Sequence, residues 1–216
     1  MTTREKKNDT IQLVIVRHGE TVDNARGVTQ GWSDSALSDR GRAQVRHLAE
    51  RIPRVAPTSV YSSPLPRALT TAKEIAGPMN LDVVVLDDLR EMNCGRWEGL
   101  PFAEIREQER ETYLRWISDP TFPCPEGESF SDVRLRIERA LARIGDESGA
   151  GNHRPLVVSH GTAIRIMATL LLDLPLRVAL NFIQDNAAIN VFDRRRDRYL
   201  LRVWNDATHC NGELSQ

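Results

Sequence analysis

The 216-residue sequence predicts an α/β protein, a three-layer α/β/α sandwich around a mostly parallel central sheet. Three observations carry that expectation. Short apolar runs rich in β-branched residues alternate with segments whose apolar positions recur at helical spacing. Two of those runs end alike, in Val16-Arg17-His18-Gly19-Glu20 and Val158-Ser159-His160-Gly161-Thr162, each followed by a helical pattern. No internal repeat or low-complexity linker interrupts the alternation, and the length suits one domain with a full core. The expected division is an N-terminal segment 1–10, a single domain 11–209 and a C-terminal tail 210–216.

Taken in order, Ile11 to Val16 is the first buried strand. It stops at Arg17 and His18, whose polar groups are costly to bury, so they are expected to face a cleft. Gly19 lets the chain turn sharply there and a ligand approach closely. A short helical turn and loop follow to Trp32. Ser38 is the expected N-cap of a helix through Arg51, with Val45, Leu48, Ala49 and Ile52 on one face and Pro53 and Pro57 ending it. Val60 and Tyr61 carry a strand. Ser63 as cap, Pro64 at the first helical position and Gly77 as stop define the next helix. Arg67 then falls in its first turn, where free N–H groups and the helix dipole already attract anions.

Val83 to Leu86 is read as a strand, and Glu91 lies in the Gly-rich stretch after it. Residues 101–116 suggest two short helical pieces, and 121–127, with three prolines and a glycine, a loop. A helix from Ser129 or Ser131 to about Glu147 carries Val133, Ile137, Leu141 and Ile144 on one face, and 145–151 closes it. Pro155 to Val158 is a strand, and the helix 162–172, apolar nearly all round, should be buried. A helix and loop over 174–185 and a strand pair, 188–192 with 199–204, complete the pattern.

The bulk properties exclude several classes. Lys and Arg number 29 against 30 Asp and Glu, so no nucleic acid or other polyanion is expected as partner. Arg194, Arg195, Arg196 and Arg198 lie between two strand-like runs and read as a solvated hairpin tip. Three widely spaced cysteines argue against a disulfide framework and fit a reducing compartment. They form no Cys-x-x-Cys pair and the histidines no His-x-x-x-His pair, so no metal site is expected. Residues 1–10 lack the apolar core of a signal peptide, and no segment approaches the ~20 apolar residues of a membrane span. A cytoplasmic protein without membrane contact is the expectation; the oligomeric state is not readable, a homodimer being left open.

If the two His-Gly strands are parallel neighbours, His18 and His160 emerge at one sheet edge, where α/β sheets bind ligands, together with Arg17 and Arg67. Two imidazoles and two planar guanidinium forks suit an anion with several oxygens, phosphoryl better than carboxylate. Arg17-His18-Gly19-Glu20-Thr21 with Asn24, Arg67 after Ser62-Ser63-Pro64, Glu91 ahead of Gly95-Arg96-Trp97-Glu98-Gly99, and His160-Gly161 together resemble the histidine phosphatase superfamily, the phosphoglycerate-mutase-like group. The resemblance runs over about 11–209, and Trp204 to His209 looks like the end of phosphatase-branch members. It implies that His18 is the nucleophile and forms a phosphohistidine. It further implies that Arg17, Arg67, His160 and Gly161 hold the phosphoryl oxygens, with Asn24, Gln30 and Gly31 nearby in the substrate loop. Glu91 would protonate the leaving oxygen and then activate water, with no cofactor and no metal.

Elementary chemistry agrees with those roles. A neutral imidazole has a free lone pair if a partner fixes its other nitrogen, a backbone carbonyl being one candidate. Phosphoryl transfer needs positioning and charge stabilisation, which fixed cations supply. An alkoxide leaving group needs a proton, which a carboxylic acid beside an anionic phosphate can give. Glu20, Glu98, Glu126 and Glu128 are the rivals of Glu91. His47 and His153 read as surface residues, His209 as structural, and Trp32 and Trp97 as pocket walls or core. The expected activity is hydrolysis of a small phosphate monoester. A phosphoglycerate mutase is the alternative, but only 68 residues, 92–159, separate Glu91 from His160, and they hold no adjacent Arg-Arg pair to clamp a second phosphate. A non-catalytic binder would be marked by loss of His18 or Glu91, and both are present. The stretch Glu91 to Gly99 looks most like α-ribazole-phosphate phosphatases and broad-specificity relatives.

Overall fold

The computed structural model of the chain describes residues 11–146, 153–196 and 198–210. Its centre is a six-stranded sheet of β1 (Ile11–Arg17), β2 (Ser59–Ser62), β3 (Val83–Val85), β4 (Pro155–Ser159), β5 (Ile189–Arg195) and β6 (Arg198–Asp206), in the order β3-β2-β4-β1-β5-β6. The first four neighbours in that order are parallel; β5 runs antiparallel to β1, and β6 antiparallel to β5. The sheet is therefore mixed, parallel except around β5, with the expected hairpin at one edge. β1 and β4 pair with Arg17 opposite Ser159, so the histidines that follow leave the sheet side by side.

Alternation along the strands divides the core in two. Val14, Val16, Val60, Leu156 and Val158 face α2 (Asp39–Arg51) and α3 (Pro66–Ala76). Leu13, Ile15, Tyr61 and Val157 face α6 (Phe130–Asp146) and α7 (Gly161–Leu171). All nine are essentially inaccessible. Full burial of such side chains contributes about 1.5–3 kcal/mol each, which fixes the strands' register and with it the placement of Arg17 and Ser159. The expected two short pieces after Pro101 are α4 (Phe102–Gln108) and α5 (Arg110–Ser118), and α1 (Val22–Arg26) is the short turn after β1. Ser38 caps α2 by accepting from the Gly41 N–H at 2.9 Å. Ser129 does the same for α6 through Asp132, whose carboxylate accepts from Ser129 in return.

Two expectations need correction. Ser63 and Pro64 do not start α3; the helix begins at Pro66 after Leu65, and the Ser63 hydroxyl, 2.8 Å from His160 Nε2, accepts from the Leu65 N–H at 3.2 Å ahead of it. Cys210, placed in the tail, is buried at the end of a 3-10 turn, Thr208–Cys210. Gly77 follows the last residue of α3 as expected and leads into a 3-10 turn, Gly77–Met79, after which Asn80 takes the left-handed position at φ 51°. The helix expected within 174–185 is a 3-10 helix, Leu176–Asn181. The expected segment 1–10, most of the stretch closing α6, and 211–216 lie outside the described residues. Among the described residues no helix is long and apolar enough to cross a membrane.

Candidate active site

His18 sits where β1 ends, 3% exposed, its backbone fixed from three sides. Its N–H donates to the Ser159 carbonyl at 3.1 Å, and its carbonyl accepts from Ala187 N–H and from the Asn186 amide, both at 3.1 Å. The ring Nδ1 lies 2.7 Å from the Gly19 carbonyl. A carbonyl can only accept, so Nδ1 carries the proton and Nε2 keeps its lone pair. Burial, and after it the charges of Arg17 and Arg67, push the imidazole pKa well below its ordinary 6.5, against a smaller opposing effect of the Gly19 bond. The ring is neutral at physiological pH.

The second histidine stands behind the first. The ring centroids of His18 and His160 are 5.1 Å apart, and His160 is completely buried. Its Nε2 is 2.8 Å from the Ser63 hydroxyl, while its Nδ1 has no partner. Burial, then Arg67, hold this imidazole neutral too. Arg17 donates from Nη1 to the Gln184 carbonyl at 2.5 Å, and Arg67 from Nη1 and Nη2 to the carbonyls of Ser33 and Gly31 at 2.9 and 2.7 Å. Desolvation lowers Arg17 to about 10, which leaves it a cation near neutrality. The Nε of both arginines is buried without a partner. These are fixed donors around a neutral nucleophile, an arrangement suited to holding an oxyanion.

Glu91 approaches the same space from the loop after β3. Its Oε1 accepts from the N–H groups of Met92 (2.8 Å) and Ala163 (3.1 Å), and its Oε2 from Thr162 (3.1 Å), at the first turn of α7. Oε1 is thus saturated, and Oε2 keeps an open position where a proton can sit. Arg136 of α6, 7% exposed, secures the loop by donating to the carbonyls of Asp88, Arg90 and Glu91 at 2.6–2.9 Å and pairing with Glu128. That role was not legible in the sequence, where Arg136 is one more charge on an amphipathic helix.

Arg17, His18, Arg67 and Glu91 line one cavity of about 380 Å³, together with Asn24, Gln30 and Gly31. Val28, Met92, Trp97, Phe102, Ile105 and Trp116 give it an apolar wall. His160 and Gly161 do not line the cavity: His160 lies against His18 and Ser63, and Gly161 close against the Arg17 guanidinium. Gly31 has φ +56°, and a β-carbon there would fall 2.1 Å from Glu98 Oε1, so both conformation and space demand glycine. Trp32 is not part of the wall; it stacks on Arg90 and donates to the Glu91 carbonyl at 2.7 Å. The rival carboxylates are engaged elsewhere. Glu98 clasps the loop at Trp32, Ser33 and Cys94, Glu20 accepts from Ser38, Glu128 pairs with Arg136, and Glu126 with Arg96 on the surface. His47 and His153 are half-buried rather than on the surface, the latter 3.0 Å from the Thr58 hydroxyl, and His209 lies against Arg51. The sequence reading assigned no site role to several lining residues, among them Val28, Phe102, Ile105, Thr162 and, the only charged one of these, Arg165. A lone charge in the otherwise apolar α7 is the signal that could have found Arg165.

The model of the histidine phosphatase superfamily, branch 1, matches residues 13–207. Phosphoserine phosphatase 1 of Hydrogenobacter thermophilus is 34% identical over 200 residues, 92% of this chain and 94% of that protein. Phosphoglycerate mutase-like protein 4 of Arabidopsis thaliana is 36% identical over 206 residues, 93% and 87% of the two chains. Among solved structures, the alpha-ribazole phosphatase from Shigella flexneri superposes with a TM-score of 0.80 at 29% identity, covering 91% of this chain and 96% of that one.

Proposed function

The chain belongs to the histidine phosphatase superfamily and is a phosphoric monoester hydrolase, and from that premise we propose that it cleaves a small phosphorylated metabolite through a phosphohistidine on His18. The observation that carries this reading is the His18 tautomer, with Nδ1 held by the Gly19 carbonyl and Nε2 bearing a lone pair, on a ring that lines one cavity with Arg17 and Arg67. Nε2 attacks phosphorus; a P–N bond forms as the ester P–O bond breaks, and the leaving oxygen takes the proton from Glu91. Arg17 and Arg67, with His160 and the Gly161 end of α7 behind them, neutralise the equatorial oxygens, while Asn24, Gln30 and Gly31 border the substrate loop. In the second half Glu91 removes a proton from water. The water oxygen bonds phosphorus, the P–N bond breaks, and Nε2 recovers its lone pair. No step needs a metal or an organic cofactor.

The proposed partner is thus a small-molecule phosphate monoester, and the compartment the cytoplasm, which the free state of Cys94, Cys124 and Cys210 supports. The likeness to a phosphoglycerate mutase-like protein favours one second reading, return of the phosphoryl group to a phosphoglycerate. EDTA-treated protein assayed with p-nitrophenyl phosphate and 3-phosphoglycerate separates the two. Phosphate release that is lost in His18→Ala supports the hydrolase; formation of 2-phosphoglycerate faster than phosphate supports the mutase.

A further inference from the structure

Arg165 is the one charged residue between Gly161 and Leu171 in α7. Three residues after Thr162, it shares that residue's helix face, and both line the active-site cavity. Among the described residues it has no hydrogen bond and no ion pair. Its Nε is buried without a partner, whereas its terminal nitrogens are not among the buried unpartnered atoms and so keep some exposure on a residue that lines the cavity. The other cations of the wall are committed, Arg67 through both terminal nitrogens and Arg17 through one. A half-buried guanidinium with no acceptor is costly in the empty protein, so its acceptor is expected to arrive with a ligand.

Its position is set by α7: Glu91 Oε2 accepts from the Thr162 N–H and Oε1 from the Ala163 N–H, both at 3.1 Å, and Arg165 lies one turn on, on the Thr162 face, with Glu91 and Asp185 as its neighbouring opposite charges and neither within ion-pair distance. It therefore stands beside the proton donor, where the leaving alcohol must lie. One planar guanidinium matches one carboxylate through two parallel N–H···O bonds, while a second phosphate would bring two charges to a single fork. A cavity of about 380 Å³ that also holds a phosphoryl group leaves room for a small alcohol. Building on the phosphatase reading above, we infer that Arg165 anchors a carboxylate on the leaving group, so that the preferred substrates are phosphate monoesters of small hydroxy acids. The plainer role, a counter-charge for Glu91 and Asp185, would treat all substrates alike.

Substrate pairs that differ in the carboxylate decide between them: 3-phosphoglycerate against glycerol 3-phosphate, and O-phosphoserine against O-phosphoethanolamine. The wild type is expected to favour the carboxylate member by about tenfold or more in kcat/KM, chiefly through KM. Arg165→Gln should lower that ratio by about tenfold and Arg165→Lys recover part of it. A wild-type ratio near one in both pairs overturns the inference, and so does an equal loss on both members in Arg165→Gln. Should that variant not fold, inhibition of wild-type p-nitrophenyl phosphate hydrolysis decides: glycerate must compete where glycerol does not, and equal inhibition refutes the anchor. Absence of p-nitrophenyl phosphate turnover in the wild type would instead remove the hydrolase reading itself.

Discussion

Replacing Glu91 by glutamine probes the proton donor while keeping its shape. Oε1 accepts from Met92 and Ala163, so the amide oxygen keeps that place and the new NH2 takes that of Oε2, facing the Thr162 N–H 3.1 Å away. Two donors then meet and one buried N–H loses its acceptor, which costs about 1–3 kcal/mol of stability. At about 2–4 °C per kcal/mol for a chain of this length, the melting temperature falls by about 2–12 °C and the fold survives. The kinetic effect should be larger and selective. A positioned acid contributes about 10²–10⁴-fold when the leaving group is an alkoxide, and far less when it is p-nitrophenolate, which departs unprotonated. Steady-state rates on an alkyl phosphate and on p-nitrophenyl phosphate, with melting curves alongside, read both effects. Equal loss on the two substrates would refute the acid role and reduce Glu91 to a cap on the first turn of α7.

Two further perturbations act on the imidazoles. Because burial holds both His18 and His160 below 6.5, the unfolded chain takes up protons that the native one refuses, so stability is full above pH 6.5 and falls as the pH drops beneath it. The expected slope is about 1.4 kcal/mol per pH unit for each ring, read by urea unfolding between pH 7 and 5; a flat profile would mean that the rings are not buried neutral. Ser63→Ala removes the only hydrogen-bond partner given to the His160 ring among the described residues. It should cost about 1–3 kcal/mol and lower kcat as the ring loses its orientation, and unchanged stability and kcat would show that the contact is idle.

Much of this was legible because it is local or strongly patterned. The paired His-Gly strand ends lie in parallel register because Val14 to Val16 and Leu156 to Val158 have a single way to bury their faces. Arg67 is near a helix start whether that start is Pro64 or Pro66. What sequence reasoning missed depends on contacts between distant segments. Ser63 looked like a cap because caps are chosen by neighbours, yet its hydroxyl serves a histidine 97 positions away. Glu98 competed with Glu91 as the acid until four donors from two loops occupied its carboxylate. Arg165 vanished into an apolar helix because periodicity registers the stripe and overlooks one residue whose role is set by what faces it.

The central claim is covalent chemistry at His18, and acid-labile, base-stable label tests it most directly. A rapid alkaline quench during turnover of 32P-labelled substrate, followed by peptide mapping, should place one phosphoryl group on the peptide holding Arg17, His18 and Gly19. His18→Ala should show neither label nor turnover. Label on another residue, or His18→Ala hydrolysing substrate at the wild-type rate, would contradict the account.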